Sequence, residues 1–458
     1  MSERPAAATL PTRLCLGFGV GTVGASILTN TIAVYFPTFM VTVLGQSAAL
    51  AGGLVMFSKI YDIFADVFIG AMSDRTKSRW GRRRPYLFVG AFSSALSLLL
   101  VFWAHGMEGT VLVGYMAFAL VFYSTAYSLF NVPYFAMPGE MTDSYHERLR
   151  LMSFRTAFVG IGQLVSLALT AWLIKVGGGG SDGFHLMGGV VAVIALGTML
   201  LCFFGTASAK RVEASTAKHT FTTRDITTIF TNRPLILLMG AKLTQYLAFG
   251  MVQPANLLFM LNVLHLGYSG QIGLAIAQNV AVFGSQPIWA RMGRKFGKRN
   301  CYILGVMIMA CAGLSWLLAE PGLPMWQVWL RGVVIGFGSG GSLLMSASML
   351  PDAMQYDYLR TGQRREGIFS SFYAIVEKGG FAISVGTTGF LLAAAGYVST
   401  VEGNLVQQSE STIRALYFLV GVFPAVMFVA GVVLILFYNL DQEKLQRMAA
   451  ERQATEGA

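Results

Sequence analysis

Two aspartates lie one helical turn apart in an otherwise apolar stretch. Asp62 and Asp66 fall within residues 54–71, a run long enough to cross a lipid bilayer. Residues four positions apart share one face of a helix. A carboxylate at membrane depth is costly in its charged form unless a cation, a proton or a basic side chain accompanies it. The pair therefore predicts a site for a cation or a proton, and a cation-coupled carrier is the first function to test.

A structural ion pair is the alternative explanation for these two acids. Lys59, three residues before Asp62, or another basic side chain could neutralise one of them. A second carboxylate on the same helix face adds repulsion that packing alone would not retain. The pattern therefore favours a cation or proton site over a purely structural role.

The chain around these acids has the composition of a polytopic membrane protein. Of its 458 residues, 55% are hydrophobic and 12% are charged, whereas a soluble domain of this size carries about 25% charged residues. Apolar runs of span length recur from end to end. They predict an all-α membrane protein with twelve transmembrane helices, at residues 13–43, 47–74, 86–105, 110–138, 151–175, 185–207, 234–263, 268–290, 300–319, 325–350, 367–396 and 412–438.

The net charge of +11 is concentrated in alternate loops. The loop after span 2 carries six Lys or Arg residues, the loop after span 8 carries five, and the loops after spans 1, 3, 7, 9 and 11 carry none. This positive-inside distribution predicts that both termini lie in the cytoplasm. It also indicates a multi-pass protein of the bacterial inner membrane, in contact with the lipid bilayer and without a nucleic-acid partner.

The two most basic loops look alike, which indicates an internal repeat. Gly81-Arg82-Arg83 is followed by Tyr86, and Gly297-Lys298-Arg299 is followed by Tyr302, about half a chain later. Six plus six spans with matched loops predict the major facilitator arrangement, with the solute between the halves near the midplane. The expected division is an N-terminal six-helix bundle at 1–207, a cytoplasmic linker at 208–233, a C-terminal six-helix bundle at 234–438 and a cytoplasmic tail at 439–458.

No motif supports an enzyme, a metal site or a cofactor. The chain has no H-E-x-x-H pair, phosphate loop or nucleophile elbow, and its four cysteines and five histidines lack metal-ligand spacing. The glycine-rich run at 336–341 follows no strand and lies inside an apolar span, so it indicates close helix packing.

Five further polar side chains in the spans are candidates for a functional role. Glu377 and Lys378 are adjacent near the middle of span 11, which disfavours snorkelling of the lysine to an interface. Arg155, near the start of span 5, could bind hydroxyls or a carboxylate with its planar guanidinium, or serve a structural role at the cytoplasmic end. Ser128 and Asn131 in span 4 could contact a ligand or hydrogen-bond a neighbouring helix.

Taken together, these segments resemble the glycoside–pentoside–hexuronide:cation symporter family of the major facilitator superfamily, which includes melibiose permease. The resemblance covers nearly the whole chain. It implies a secondary active transporter that moves a glycoside, sugar or sugar acid together with a cation, by alternating access and without a cofactor. The segments that carry it are Tyr61-Asp62-Ile63-Phe64-Ala65-Asp66, Ser78-Arg79-Trp80-Gly81, Asn131-Val132-Pro133-Tyr134, Glu147-Arg148 with Arg155, Asp352, Glu366 and Glu377-Lys378-Gly379-Gly380.

By this resemblance, Asp62 and Asp66 match the family's two cation-site carboxylates. The family pattern has Asn before the second carboxylate and Thr on helix 4, where this chain has Ala65 and Ser128. An alanine methyl cannot replace an amide oxygen as a ligand of a hard cation, whereas a proton needs only the carboxylates. We therefore predict proton coupling through Asp62, Asp66 and Ser128, with Na⁺ as the alternative and no bound metal cofactor.

The resemblance also identifies candidate solute contacts. The family's two sugar-binding aspartates and a nearby tryptophan align with Ser26, Asn131 and Phe135. Because two acids are lost while the basic residues are kept, the site is more positive than in the family pattern, which favours an acidic glycoside. A neutral sugar and a lysolipid-like amphiphile are the alternative solutes. The predicted solute-binding residues are Arg155, Lys378, Asn131, Ser26, Phe135, Tyr373 and Glu377.

The mechanism implied is that protonation of the acidic pair releases Lys378 from a carboxylate partner and allows the two halves to rock. Ion pairs at the cytoplasmic side are expected to latch the outward-facing state. The predicted gating residues are Asp74, Arg82, Glu140 and Asp352. We expect a functional monomer. A drug–proton antiporter and a membrane enzyme are the remaining, less favoured functions.

Overall fold

The computed structural model describes residues 10–104, 106–142, 144–209, 231–362 and 366–456, and the described chain is helical almost throughout. Most of the predicted linker at 208–233 lies outside these residues. The helices of the N-terminal part are α1 (Thr12–Thr42), α2 (Ala48–Arg75), α3 (Arg84–Phe102), α4 (Gly109–Met141), α5 (Tyr145–Leu164), α6 (Thr170–Val176) and α7 (Ser181–Gly205).

The helices of the C-terminal part are α8 (Arg233–Asn262), α9 (Gly267–Phe296), α10 (Lys298–Leu314), α11 (Met325–Thr361), α12 (Glu366–Ala394), α13 (Glu410–Tyr417), α14 (Phe423–Leu436) and α15 (Gln442–Glu456). A π-helical turn at Val165–Leu169 joins α5 to α6, and another at Phe418–Val422 joins α13 to α14. Each of these pairs therefore forms one long helix with a local bulge, a feature that apolar run length alone does not reveal.

Ten helical segments of the described chain are long and apolar enough to cross a membrane. Helices α2 and α9, with 28 and 30 residues, are as long as the others but are not among the ten. Helix α2 carries Lys59 and the two aspartates near its middle. A polar helix needs protein neighbours rather than lipid on that face. The twelve-span count and the cytoplasmic termini stay predictions.

Several helices continue beyond the apolar runs that predicted them. Helix α11 runs to Thr361, although its apolar run ends near residue 350. It stops at Gly362, whose φ of +75° lies in the left-handed region that favours glycine. Helix α5 begins at Tyr145, where Ser144 accepts a hydrogen bond from the backbone N–H of Glu147. Helix ends are set by caps, whereas span predictions follow hydropathy.

The glycine-rich run in α11 serves close helix packing, as predicted. A Cβ atom on Gly336 would collide with the backbone of Gln278 in α9, and one on Gly341 would collide with the Trp289 ring. A Cβ atom on Gly338 would lie 2.6 Å from the carbonyl oxygen of Gly305 in α10. The absence of side chains therefore lets α11 approach both α9 and α10.

The described residues form two compact units, each with its own packing. Unit 1 holds the described residues from 10 to 209 together with 397–407, and unit 2 holds the described residues from 231 to 396 and from 408 to 456. In unit 1, α2 packs along α4, and α1 packs along α5 and α7. In unit 2, α8 packs along α12 and α14. These pairings position the polar residues described below.

The segment 397–407 belongs to unit 1 although it lies late in the sequence. The backbone N–H of Thr400 donates to Val41 O at 2.8 Å, and that of Gly403 donates to Thr42 O at 2.9 Å. Ser399 Oγ donates to Gln46 O at 2.7 Å. These bonds satisfy backbone groups at the end of α1, and nothing in the apolar pattern of the sequence predicts them.

Candidate functional site

The two aspartates of α2 face a single serine of α4. Asp62 is 1% exposed and Asp66 is partly buried. Ser128 is completely buried, and its hydroxyl oxygen lies 2.9 Å from Asp62 Oδ1 and 2.6 Å from Asp66 Oδ1. The four-residue spacing places both carboxylates on the face of α2 that packs against α4. The structure thus brings together the three residues predicted to form the cation site.

The number of hydrogens available to these three side chains determines which hydrogen bonds can form among them. The Ser128 hydroxyl has one hydrogen, so it can donate to only one of the two carboxylates at a time. The second short contact becomes a hydrogen bond when the other carboxyl carries a proton and donates to the serine oxygen, and a cation that neutralises this carboxyl would also make the contact favourable. Both oxygen–oxygen distances are those of hydrogen bonds. The geometry therefore matches a trio that holds one additional proton.

Electrostatic repulsion points in the same direction. Two carboxylates bridged by one hydroxyl are separated by about 5 Å, and unit charges at that distance repel by about 3 kcal/mol at an effective dielectric constant of about 20. A proton or a cation that neutralises one carboxylate removes this repulsion. The trio is therefore suited to bind and release a small positive charge.

Lys59 does not form the structural ion pair that was the alternative explanation. Its ammonium group lies 5.3 Å from the ring centroid of Tyr123 and 5.6 Å from that of Tyr127, both on α4. Within the described residues, no carboxylate oxygen lies within 4 Å of it. A cation over aromatic faces is stabilised without neutralising an acid. The lysine thus leaves the charge of the acidic pair to be balanced by other groups.

Arg155 of α5 stacks on Phe135 of α4, and both were predicted solute contacts. The guanidinium carbon lies 4.1 Å from the ring centroid, and Phe135 is 46% exposed. The buried Nε atom of Arg155 has no hydrogen-bond partner among the described residues. Asn131, one turn before Phe135, is buried, and its amide likewise makes no hydrogen bond to a described residue. Ser26 of α1 packs against Gly162 of α5.

The arrangement of these unit 1 residues suits a polyhydroxylated ligand. An arginine stacked on an aromatic ring presents its N–H donors in the plane of the guanidinium, where hydroxyl or carboxylate oxygens can accept them. An amide offers both donors and acceptors to hydroxyl groups. Exposed aromatic carbon can cover the apolar face of a sugar ring.

The other predicted solute contacts lie in unit 2, on α12. The Tyr373 hydroxyl is 2.7 Å from the Tyr246 hydroxyl of α8. Glu377, one turn further along α12, is exposed. Lys378 is half-buried. Tyr373 and Glu377 therefore belong to one polar cluster, which also includes a tyrosine that the sequence did not single out.

Comparison with known proteins identifies the family. The sequence profile described as "MFS/sugar transport protein" matches residues 17–442. The chain belongs to this family. The result confirms the predicted resemblance and a transport function rather than an enzymatic one.

Two curated relatives of the transporter span almost its full length. It is 27% identical to an uncharacterized symporter from Synechocystis sp., over 96% of each chain. It is 26% identical to a glucuronide carrier protein homolog from Escherichia coli K12, over 96% of this chain and 95% of that protein. Both relatives carry names of membrane carriers, and the first is named a symporter, which agrees with the symporter class predicted from the sequence.

A solved structure shows the same fold. The transporter superposes on a bacterial homolog of the human lysosomal transporter Spinster, in an inward-facing and unoccupied conformation, with a TM-score of 0.67. The sequence identity is 13%, and the match covers 97% of this chain and 99% of that one. This likeness supports a major facilitator fold and carries no information about the solute.

The predicted gating residues of the transporter belong to ion pairs, with partners that the sequence left undetermined. Arg83 bonds Asp74 and lies 2.9 Å from Glu140 Oε1, which Arg82 contacts at 2.7 Å. Asp352 pairs with Lys298 at 2.5 Å. Arg83 contacts both Asp74 and Glu140 and thereby connects the ion pairs of this loop. The same loop carries five other basic residues. Sequence alone offers no signal that selects Arg83.

The described residues contain no group of three or more His, Cys, Asp or Glu that could hold a metal ion. A further functional candidate, which the sequence did not single out, is Lys242, buried in α8 beside Gln245. Its position well inside an apolar span could have identified it as a functional candidate, because the same feature identified the two aspartates.

Proposed function

We propose that the transporter couples the uptake of a glycoside, sugar or sugar acid to the influx of a proton, by alternating access. The observation that carries the proposal is the trio of Asp62, Ser128 and Asp66, in which two short oxygen–oxygen contacts meet at a hydroxyl that has one hydrogen to donate. The symport class follows from the family and its named symporters.

Na⁺ is the alternative coupling ion, and two observations favour the proton over it. Ala65, which packs beside the trio on α2, is 6% exposed and contributes only a methyl group where a hard cation needs oxygen ligands. The oxygens of the trio lie at hydrogen-bond separation, which is the spacing of groups that share a proton.

The solute contacts proposed are Arg155, Asn131, Phe135 and Ser26 in unit 1, and Tyr373, Glu377 and Lys378 in unit 2. The Nε atom of Arg155, which is buried and has no hydrogen-bond partner among the described residues, supports this assignment. A sugar hydroxyl can satisfy such buried polar groups, which are costly when left without partners. No cofactor is needed besides the coupling ion.

The membrane arrangement proposed is twelve spans in the inner membrane of a bacterium, with both termini cytoplasmic and a functional monomer. The alternation of basic and uncharged loops supports it. We further propose that the pairs of Asp74, Arg82 and Glu140, and that of Asp352, break during the transition between conformations. A binding event that changes the charge at mid-span can shift such an equilibrium only if the two states bind the charge differently.

The first experiment identifies the solute and the coupling ion. Purified protein is screened by thermal shift against sugars, sugar acids and lysolipids at several pH values, with and without Na⁺. The compound that stabilises the protein most is then added to proteoliposomes that contain a pH-sensitive dye. We expect solute-driven proton influx in Na⁺-free buffer. Uptake that follows a Na⁺ gradient at fixed pH, with the proton gradient collapsed, would contradict proton coupling.

A matched pair of variants tests the role of Asp62. Asp62→Asn removes a charge at the trio and should abolish accumulation against a gradient while equilibrium exchange of solute persists. Asp182→Asn, which removes an exposed acid at the start of α7, should leave accumulation unchanged. Full accumulation by Asp62→Asn would exclude this aspartate from coupling.

A further inference from the structure

A buried lysine in unit 2 lacks a directly bonded counter-charge. Lys242 is 3% exposed and lies nine residues into α8, about 14 Å along the helix axis from Arg233. Its ammonium group donates to Gln245 Oε1 at 2.7 Å, away from the Arg233 end of the helix. It therefore does not snorkel towards the nearer helix end, which is the usual way for an intramembrane lysine to remain solvated.

The groups within bonding distance of this ammonium are neutral. Besides Gln245, it lies 4.9 Å from the ring centroid of Tyr246. Within the described residues, no carboxylate oxygen lies within 4 Å of it. An ammonium group has three hydrogens to donate, and one is used. Burial of a cation without a paired anion is costly, and a neutral side chain of similar size would fill the same space at lower cost.

Gln245 is held in the orientation that serves the lysine. Its Nε2 donates to Ser342 Oγ of α11 at 2.9 Å, which leaves Oε1 to accept from Lys242. Ser342 in turn donates to Ser339 O at 3.1 Å. The chain of bonds fixes the acceptor beside the ammonium rather than leaving it to rotate.

A carboxylate at the surface of unit 2 is linked to this buried cation. The Tyr246 ring lies 4.9 Å from the Lys242 ammonium group, and its hydroxyl lies 2.7 Å from that of Tyr373. Glu377 follows Tyr373 by one turn of α12. Glu377 is exposed, whereas Lys242 is buried. Glu377 is therefore an acid at the edge of the cluster, and its carboxylate lies more than 4 Å from the ammonium group.

We propose that the cluster of Lys242, Gln245 and Tyr246 is an anion subsite. At this subsite the acidic group of a polyhydroxylated solute replaces Glu377 as the counter-charge of the lysine. The inference rests on the proposed solute transport and names the class of solute as a sugar acid. Lys242 acts as the residue that selects acid over neutral solutes, and Tyr246 and Gln245 position it.

The test compares two solutes that differ only at one carbon. Methyl β-D-glucuronide has a carboxylate where methyl β-D-glucoside has a hydroxymethyl group. Affinities of the purified full-length protein for both are measured by calorimetry, and the readout is the ratio of acid to neutral affinity. We expect a ratio of at least 10 for the wild type. In Lys242→Gln it should fall at least 10-fold, and in Glu377→Gln it should rise about 3-fold or more, because the competing carboxylate is gone.

A control and a second readout separate this role from a structural one. Arg331→Gln removes another cation of unit 2, one that bonds Ser315 rather than the cluster, and it should leave the ratio unchanged. A purely structural lysine–glutamate pair predicts instead that both Lys242→Gln and Glu377→Gln lower the melting temperature without changing the ratio. The rise expected for Glu377→Gln keeps the test decisive if Lys242→Gln does not fold.

The outcomes also distinguish this inference from the proposed function. A wild-type ratio near or below 1, an unchanged ratio in Lys242→Gln, or no binding of either compound would overturn the anion subsite. Solute-driven proton influx is recorded with the same proteins in proteoliposomes. A Lys242-dependent preference without proton influx would refute the coupling and leave the subsite standing.

Discussion

The proton count at the acidic pair makes a quantitative prediction for Ser128→Ala. With the additional proton, the trio can form two hydrogen bonds, one from the serine to a carboxylate and one from the protonated carboxyl to the serine oxygen. Without that proton, only the first can form. Removal of the hydroxyl therefore costs the proton-loaded state one more hydrogen bond than the proton-free state.

The magnitude follows from the value of a buried hydrogen bond. Such a bond contributes about 1–2 kcal/mol, which corresponds to a factor of about 5 to 30 in an equilibrium constant. The repulsion between the two carboxylates acts on the proton-free state in both proteins, so it largely cancels. We therefore expect the proton concentration for half-maximal uptake to rise about 5- to 30-fold, a shift of about one pH unit towards acid.

The assay is the initial rate of solute uptake into proteoliposomes as a function of external pH, in Na⁺-free buffer and without a membrane potential. Ser124→Ala is the matched control. Ser124 lies one turn earlier on α4, is equally buried, and hydrogen-bonds Ser58 at 2.8 Å instead of an aspartate. It should lower the melting temperature by as much as Ser128→Ala does and leave the pH profile in place.

Two results would refute the reasoning. An unchanged pH profile in Ser128→Ala would mean that the serine does not share a proton with the acids. An equal shift in Ser124→Ala would mean that general disturbance of the α2–α4 contact, and not the hydroxyl at the trio, changes proton binding.

Three further predictions follow from contacts elsewhere in the chain. Arg155→Lys loses the planar stack on Phe135 and the fork of N–H donors, so KM should rise about 10-fold or more with a smaller change in the maximal rate; an unchanged KM would exclude Arg155 from solute binding. Glu140→Gln removes the shared partner of Arg82 and Arg83 and should increase labelling of a single cysteine introduced at the end of unit 1 that carries these ion pairs. Equal labelling would show that the ion pairs do not gate. Gly338→Ala introduces a Cβ atom 2.6 Å from the carbonyl oxygen of Gly305 and should lower the free energy of unfolding by about 1–3 kcal/mol. Gly284→Ala, at a position with open space for a Cβ atom, should have no such effect. Equal melting temperatures of the two variants would contradict close packing at α11.

Helix content and the polar residues inside it could be predicted from the sequence because lipid imposes strict rules. Runs of apolar residues must form helices there, since unpaired backbone groups are too costly. For the same reason Asp62 and Asp66 stood out against their surroundings. Their four-residue spacing fixed a shared face, and Ser128 entered the site through family resemblance rather than through spacing.

Helix ends and bulges could not be predicted as well. The end of α11 coincides with the left-handed conformation of Gly362, and the π-helical turn at Val165–Leu169 lies inside an apolar run. Hydropathy does not change at either place. The attachment of 397–407 to the end of α1 is a long-range set of backbone bonds that leaves no pattern in side chains.

What the sequence by itself determined is the class of the protein: a helical membrane transporter with an acidic pair at mid-span, because charge is rare and costly in lipid. What only the tertiary structure decided is which groups meet. It places one serine hydrogen between two carboxylates, leaves Lys59 over tyrosine rings, and gives Lys242 neutral bonding partners with its nearest carboxylate out of contact. Each of these depends on the rotation of one helix against another, and no local sequence period encodes that rotation.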